Sequence, residues 1–282
     1  MTTAPQRLGA ALAASPLCVG VDPHPGELAA WGLPDTADGA RTFGLRILEA
    51  TAAGGARVVK PQVALFERFG SAGFAVLEEI LSAAADAELF TIADAKRGDI
   101  GSTMAGYASA WVRRGSPLRA DAVTVSPYLG FESLRPVLDL LEAEDAMVFA
   151  LALTSNPSGP DVQHARRPGG ESVGGAIMRL SAEEDATRPG RVGVVIGATI
   201  GTAADDLGID VPAFPGPVLT PGFGAQGADA SALRALFGPI ARNRRLVVNA
   251  SRGVSAAGPS RKALTGRVSE LTGELVRGLG VD

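Results

Sequence analysis

The chain has 282 residues, 46% of them hydrophobic and 20% charged, with a formal net charge of −4. That balance supplies a large core, and it lacks both the polar excess of a disordered chain and the basic runs of a nucleic-acid surface. Cys18 is the one cysteine, which excludes an intrachain disulfide and a thiolate metal cluster and fits a reducing cytoplasm.

In chain order, MTTAPQRLGAALAAS reads as an amphipathic helix over about residues 2–14 that closes one end of the fold. Its small residues superficially resemble a signal segment, but Arg7 is the only cation before the apolar stretch, and the helical reading is preferred. Eight Val- and Ile-rich runs follow, at residues 17–22, 57–63, 89–96, 121–126, 147–154, 192–199, 216–221 and 245–251. Helix-like stretches of period near 3.6 lie between them, at 40–53, 74–87, 100–114, 131–144, 171–186 and 230–243, with a last one at 260–279. Eight βα units in this length predict a single-domain (β/α)8 TIM barrel spanning 1–282. Apolar runs such as 146–153 are far shorter than the ~20 residues of a membrane span. The longest irregular segments follow the first and fifth strands, where loops of this fold build active sites; the fifth is a candidate lid.

Lysine is scarce: Lys60, Lys96 and Lys262 are three of 26 basic residues, and the other 23 are arginine. Arginine supplies surface charge equally well, but only lysine offers a compact ammonium able to give up a proton. Lys262 lies among polar residues of the terminal helix and reads as a surface charge. Lys60 sits inside the apolar run VVKPQ, where a cation is costly unless an anion meets it. The segment ADAKRGDIGST offers that anion. Asp94 and Lys96 stand at i and i+2 on one face of a strand, and Asp99 opens the next helix. Lys60, Asp94, Lys96 and Asp99 are therefore expected to form an alternating array, with Asp22 at the end of the first strand nearby. Buried ion pairs are poor sources of stability, so a functional reading of the array is favoured over a structural one. The glycine-bearing turns TPGFGAQGADA and NASRGVS follow the seventh and eighth strands, the usual phosphate site of this fold, with Gln226 and Arg252 as side-chain donors. Ser155, in TSNPSG, is either a ligand-binding hydroxyl or a turn cap.

DAKRGDIGST is similar to the D-x-K-x-x-D-I-x-x-T motif of the orotidine 5′-phosphate decarboxylase family. VGVDPHP, VVKPQVALFERFG, LTSNPSG, TPGFGAQGAD and ASRGV fall in that family's order, so the resemblance spans roughly residues 17 to 254. The longer chain and extended loops resemble the branch found in mycobacteria and related bacteria. The resemblance implies cofactor-free, metal-free decarboxylation of orotidine 5′-monophosphate to uridine 5′-monophosphate, the last step of de novo pyrimidine synthesis. It assigns Lys96 to stabilising and protonating the C6 carbanion, held by Asp94 and Asp99. It gives the ribose to Asp22 and Lys60, the pyrimidine to Ser155, and the phosphate to Gln226 and Arg252. It further implies a homodimer in which Asp99 and Thr103 enter the partner's site, with no nucleic-acid or membrane partner. Whether Arg252 alone meets the phosphate or Arg166 and Arg167, in the fifth loop, also do is left open by the sequence.

A glycine two residues past the second Asp, here Gly101 after Asp99, also occurs in related sugar-phosphate decarboxylases and hexulose phosphate synthases, which use Mg2+. Those relatives carry a carboxylate on the second strand where this chain has Lys60, which would repel a cation. That activity and a non-catalytic nucleotide-binding barrel are the alternatives. His24 and His164 read as loop residues, and Tyr107 and Trp111 as packing of a helix at the barrel wall or dimer interface.

Overall fold

The computed structural model describes residues 2–224 and 227–281. Its strands are β1 (Leu17–Val21), β2 (Val58–Pro61), β3 (Phe90–Arg97), β4 (Ala122–Val125), β5 (Met147–Leu153), β6 (Val192–Ile196), β7 (Val218–Pro221) and β8 (Leu246–Ala250). They close in sequence order into an eight-stranded parallel barrel, β8 pairing with β1, so no sheet edge is left open. Both faces of each strand are covered, by the helical shell outside and the packed interior inside, which is why the runs are apolar without alternation.

The six helical stretches expected at 40–53, 74–87, 100–114, 171–186, 230–243 and 260–279 are present as Ala37–Ala53, Gly70–Asp86, Gly101–Trp111, Val173–Thr187, Ala230–Arg242 and Arg261–Leu279. Three start on side-chain caps: Thr36 accepts from the Gly39 amide, Ser172 from Gly175, and Asp229 from Ala232. The helix expected over 131–144 forms only as a 3-10 turn, Phe131–Leu134, and one α turn, Arg135–Leu138, followed by further turns. Leu134, Val137, Leu138 and Leu141 are nevertheless buried: a spacing of three to four residues suits successive tight turns as well as an α-helix.

The N-terminal helix Ala4–Ala14 lies across the floor of the barrel. Ala4, Leu8, Ala11 and Leu12 pack into the interior cluster with Cys18, Val58, Phe90, Met147 and Phe149. Arg7 ties it down, donating to Asp121 at 2.7 Å and Asp145 at 2.8 Å, while the Ala4 amide donates to Asp145 at 2.8 Å. Among the described residues, no helix is long and apolar enough to cross a membrane.

Candidate active site

The inter-strand register stacks inward-pointing residues in layers taken from alternate strands. The uppermost complete layer comes from the even strands: Lys60 on β2, Thr124 on β4, Val195 on β6 and Asn249 on β8. Above it β1, β3 and β5 contribute Gly20, Asp94 and Leu151. The ceiling of the barrel interior is therefore divided, polar on the β8-β1-β2-β3-β4 side and apolar where Leu151 and Val195 stand. A cavity of about 710 Å³ opens over it, within the size range of small-ligand sites.

Asp94 is the centre of the polar half. It is 8% exposed, and Lys60, 3% exposed, donates from Nζ to its Oδ2 at 2.8 Å. Lys96 Nζ approaches the other oxygen, Oδ1, at 2.6 Å and reaches Gln62 Oε1 at 3.4 Å. The Lys96 side chain is 45% exposed and faces the cavity. Burial alone would favour neutral forms, but the charges reinforce one another. Desolvation opposes ionisation of Asp94, yet the two lysines outweigh it and hold the carboxyl well below the usual carboxylate range. Desolvation likewise disfavours the Lys60 ammonium, and the Asp94 and Asp22 carboxylates outweigh it and raise its pKa above the ordinary lysine value. Asp94 is thus an anion and Lys60 a cation throughout the neutral range.

Local backbone geometry presents Lys96. The β3–β4 register shifts between Ala93 and Arg97, and Lys96 has φ of 48°, in the left-handed region that non-glycine residues rarely occupy. A bulge of this kind re-aims side chains at the rim of a barrel. The displaced Lys96 amide donates to Thr124 Oγ1 at 2.9 Å, and that hydroxyl donates to Asp94 Oδ1 at 3.0 Å.

Asp22, Ser155 and Arg252 line the same cavity as Lys60, Asp94 and Lys96. Asp22 Oδ1, at the wall of this cavity, is a buried acceptor with no hydrogen-bond partner among the described residues. Gly20 makes room for this corner: a Cβ there would meet Ser251 Oγ at 1.9 Å. Asp99 does not join the array within one chain. Its carboxylate accepts from the Ile100 amide at 2.8 Å, and neither it nor the exposed Thr103 lines the cavity. Gln226 lies outside the described residues. Arg166 and Arg167 do not line the cavity; they bond within their own loop, to the Gly170 carbonyl and to Glu171. Thr154 in the fifth loop is clamped by Gln163, amide to Oε1 at 2.8 Å and Nε2 to hydroxyl at 2.6 Å.

The sequence did not single out Gln62, Thr124 or Asn249, and His24 was read from it as a loop residue only. Gln62 continues the Lys60 face of β2, Thr124 bridges Asp94 and Lys96, and Asn249 and His24 line the cavity. Asn249 carried a usable signal: like Lys60 it is a polar residue inside an apolar strand, and its Oδ1 is buried without a partner among the described residues. Trp111 is buried and Tyr107 partly buried, with the Arg97 guanidinium 5.6 Å from the Tyr107 ring and 5.7 Å from the Trp111 ring, as helix packing requires.

A closed β/α barrel whose mouth holds an ionised lysine–aspartate array, with Arg252 after β8 lining the same cavity, fits the class of barrel enzymes that act on small phosphorylated substrates. The chain is a member of the Orotidine 5′-phosphate decarboxylase / HUMPS family, whose model matches residues 15–266. It is 50% identical over 252 residues to the orotidine 5′-phosphate decarboxylase of Streptomyces coelicolor, covering 88% of each chain. It is 51% identical over 243 residues to that of Nocardioides, covering 83% of this chain and 86% of the relative. Among solved structures, one from Streptomyces avermitilis superposes with a TM-score of 0.92 at 44% identity over 99% of this chain and 97% of that one. The Leishmania donovani OMP decarboxylase superposes with 0.78 at 30% identity over 99% of each.

Proposed function

We propose that this protein decarboxylates orotidine 5′-monophosphate to uridine 5′-monophosphate and CO2, in the cytoplasm, as a single-domain barrel. The observation that carries the reading is the Lys96 ammonium, 2.6 Å from a buried, ionised Asp94 and open to a nucleotide-sized cavity. Breaking the bond from C6 to the carboxylate releases CO2 and leaves an electron pair in the plane of the pyrimidine ring, where the π system cannot absorb it. The site must hold that charge electrostatically. Lys96 does so and then transfers a proton from Nζ to C6, regaining one from solvent. Asp94 fixes the ammonium at the point where the charge appears, so little reorganisation is needed during reaction. Asp22 and Lys60 take the ribose hydroxyls, which supply the donors that Asp22 Oδ1 lacks. Ser155 takes the pyrimidine, and Arg252 with Gln226 the phosphate, whose binding energy is remote from C6 and can be expressed at the transition state.

The active unit is a homodimer with shared sites. The loops after β3 and β4 lie together, the Ser126 amide donating to the Arg97 carbonyl, and they carry Ile100, Tyr128 and Leu129 at 62%, 77% and 54% exposure. Large apolar side chains gathered on one exposed rim favour a protein partner. A second copy seated there covers them and carries Asp99 and Thr103 toward its neighbour's cavity.

A metal-dependent sugar-phosphate activity is disfavoured by Lys60, whose buried positive charge stands where a metal-binding relative needs a carboxylate. The test is turnover of orotidine 5′-monophosphate by the purified protein in excess EDTA. The expected result is full activity that Lys96→Ala abolishes. Turnover no faster than Lys96→Ala, or loss of activity on chelation, contradicts the proposal.

A further inference from the structure

Thr124 is 1% exposed, and its hydroxyl spends both of its hydrogen-bonding roles on the array. It donates to Asp94 Oδ1 at 3.0 Å, the same oxygen that receives Lys96 Nζ at 2.6 Å, and it accepts the Lys96 amide at 2.9 Å. No other side chain among the described hydrogen bonds touches both the carboxylate and the backbone of the lysine. The bulge between Ala93 and Arg97 takes Lys96 out of the β3–β4 ladder, which resumes at Arg97 opposite Val125. The Lys96 amide is thereby left without a strand carbonyl, and the Thr124 hydroxyl replaces it. A left-handed φ at a non-glycine residue persists only where its surroundings over-determine it. Lys60 holds the other carboxylate oxygen, so the hydroxyl also fixes the rotation of Asp94 about its side-chain bonds.

We propose that Thr124 is a positioning residue for the decarboxylation: its hydroxyl locks Asp94 and the left-handed Lys96 backbone in one geometry, and so sets where the ammonium stands over the substrate. The inference rests on the decarboxylase reading above. It makes no contact with substrate, so removing the hydroxyl should leave ground-state binding almost intact while misplacing the proton donor. A displacement of about 1 Å at such a group can cost on the order of 100-fold in rate.

The test compares Thr124→Val, which keeps the volume and loses the hydroxyl, with Thr124→Ser, which keeps the hydroxyl, in steady-state kinetics and in crystal structures. The expected result for the valine variant is a kcat lowered roughly 10- to 100-fold with KM within about threefold of wild type, and recovery of most of the rate in the serine variant. Thr124→Ala carries the same expectation if the valine variant fails to fold. A valine-variant kcat within threefold of wild type, or a loss that serine does not restore, overturns the proposal. Lys96→Ala separates the two readings: wild-type turnover no faster than this variant means that the decarboxylase reading has failed. The valine-variant structure then decides on Thr124 alone. A Lys96 that keeps its left-handed φ and its contact with Asp94 overturns the positioning role, and a relaxed bulge supports it.

Discussion

Asp94→Asn removes one charge from the centre of the array while leaving a side chain of the same size. Lys60 is 3% exposed and donates to the lost carboxylate at 2.8 Å, so the variant strands an ammonium in the barrel interior. Removing one partner of a buried pair costs about 3–5 kcal/mol, well beyond the net worth of the pair itself. At roughly 2 °C per kcal/mol for a chain of this size, the melting temperature at pH 7 should fall by about 6–10 °C. The pH dependence carries a sign. In the wild type the Lys60 pKa is raised in the folded state, so its contribution is fully present below the ordinary lysine value near 10.4 and is lost only as pH rises through the folded pKa. In the variant burial lacks its main compensation, and the folded-state pKa of Lys60 falls below the unfolded one. The unfolded chain then binds more protons, and stability rises with pH. Thermal unfolding of both proteins from pH 7 to pH 10 should therefore show the gap narrowing. An unchanged melting temperature at pH 7, or a gap that stays constant to pH 10, would refute the coupling of Lys60 to Asp94.

Gly20→Ala places a Cβ 1.9 Å from Ser251 Oγ and should destabilise by about 1–3 kcal/mol in urea unfolding, with Ser251→Gly in the same chain recovering most of it; a neutral Gly20→Ala would contradict the tight packing of the corner beside Asp22. Arg7→Ala frees the N-terminal helix from Asp121 and Asp145, a half-buried pairing expected to contribute about 1 kcal/mol at pH 7. Burial opposes ionisation of Asp145, but the Ala4 amide, Arg7 and Arg191 outweigh it and lower its pKa, so the wild-type advantage is present above the ordinary aspartate value near 3.9 and fades as pH falls below it. A deficit in the Arg7 variant that persists unchanged at pH 2.5 would contradict the ion-pair account.

The barrel was legible because its signal is redundant. Eight apolar runs with helical intervals constrain one another, and misreading the segment after β4 as a full helix changed neither its burial nor the topology. Lys60 and Lys96 were legible for a different reason: lysine is rare in this chain, and a cation within a buried strand demands an anion. Thr124 gave no such signal, since threonine in AVTV is an ordinary strand residue and only the bulge in β3 turns its hydroxyl into a bridge. The left-handed backbone at Lys96 was equally hidden, because nothing in DAKRGD requires it and the constraint comes from β4. Asp99 was expected at the array, yet within one chain its carboxylate turns back to the Ile100 amide. In the proposed dimer Asp99 would face the partner's cavity, a placement that contacts within one chain do not supply.

In the proposed mechanism Lys96 is a proton donor rather than a fixed charge. Lys96→Arg keeps the positive charge and the reach to Asp94 but replaces the ammonium with a guanidinium that does not release its proton near neutral pH. Formation of uridine 5′-monophosphate from orotidine 5′-monophosphate by the folded Lys96→Arg protein is the most direct measurement. The expected kcat is lower by at least about 1,000-fold, a loss of roughly 4 kcal/mol in transition-state stabilisation. An arginine variant with near-wild-type kcat would contradict it.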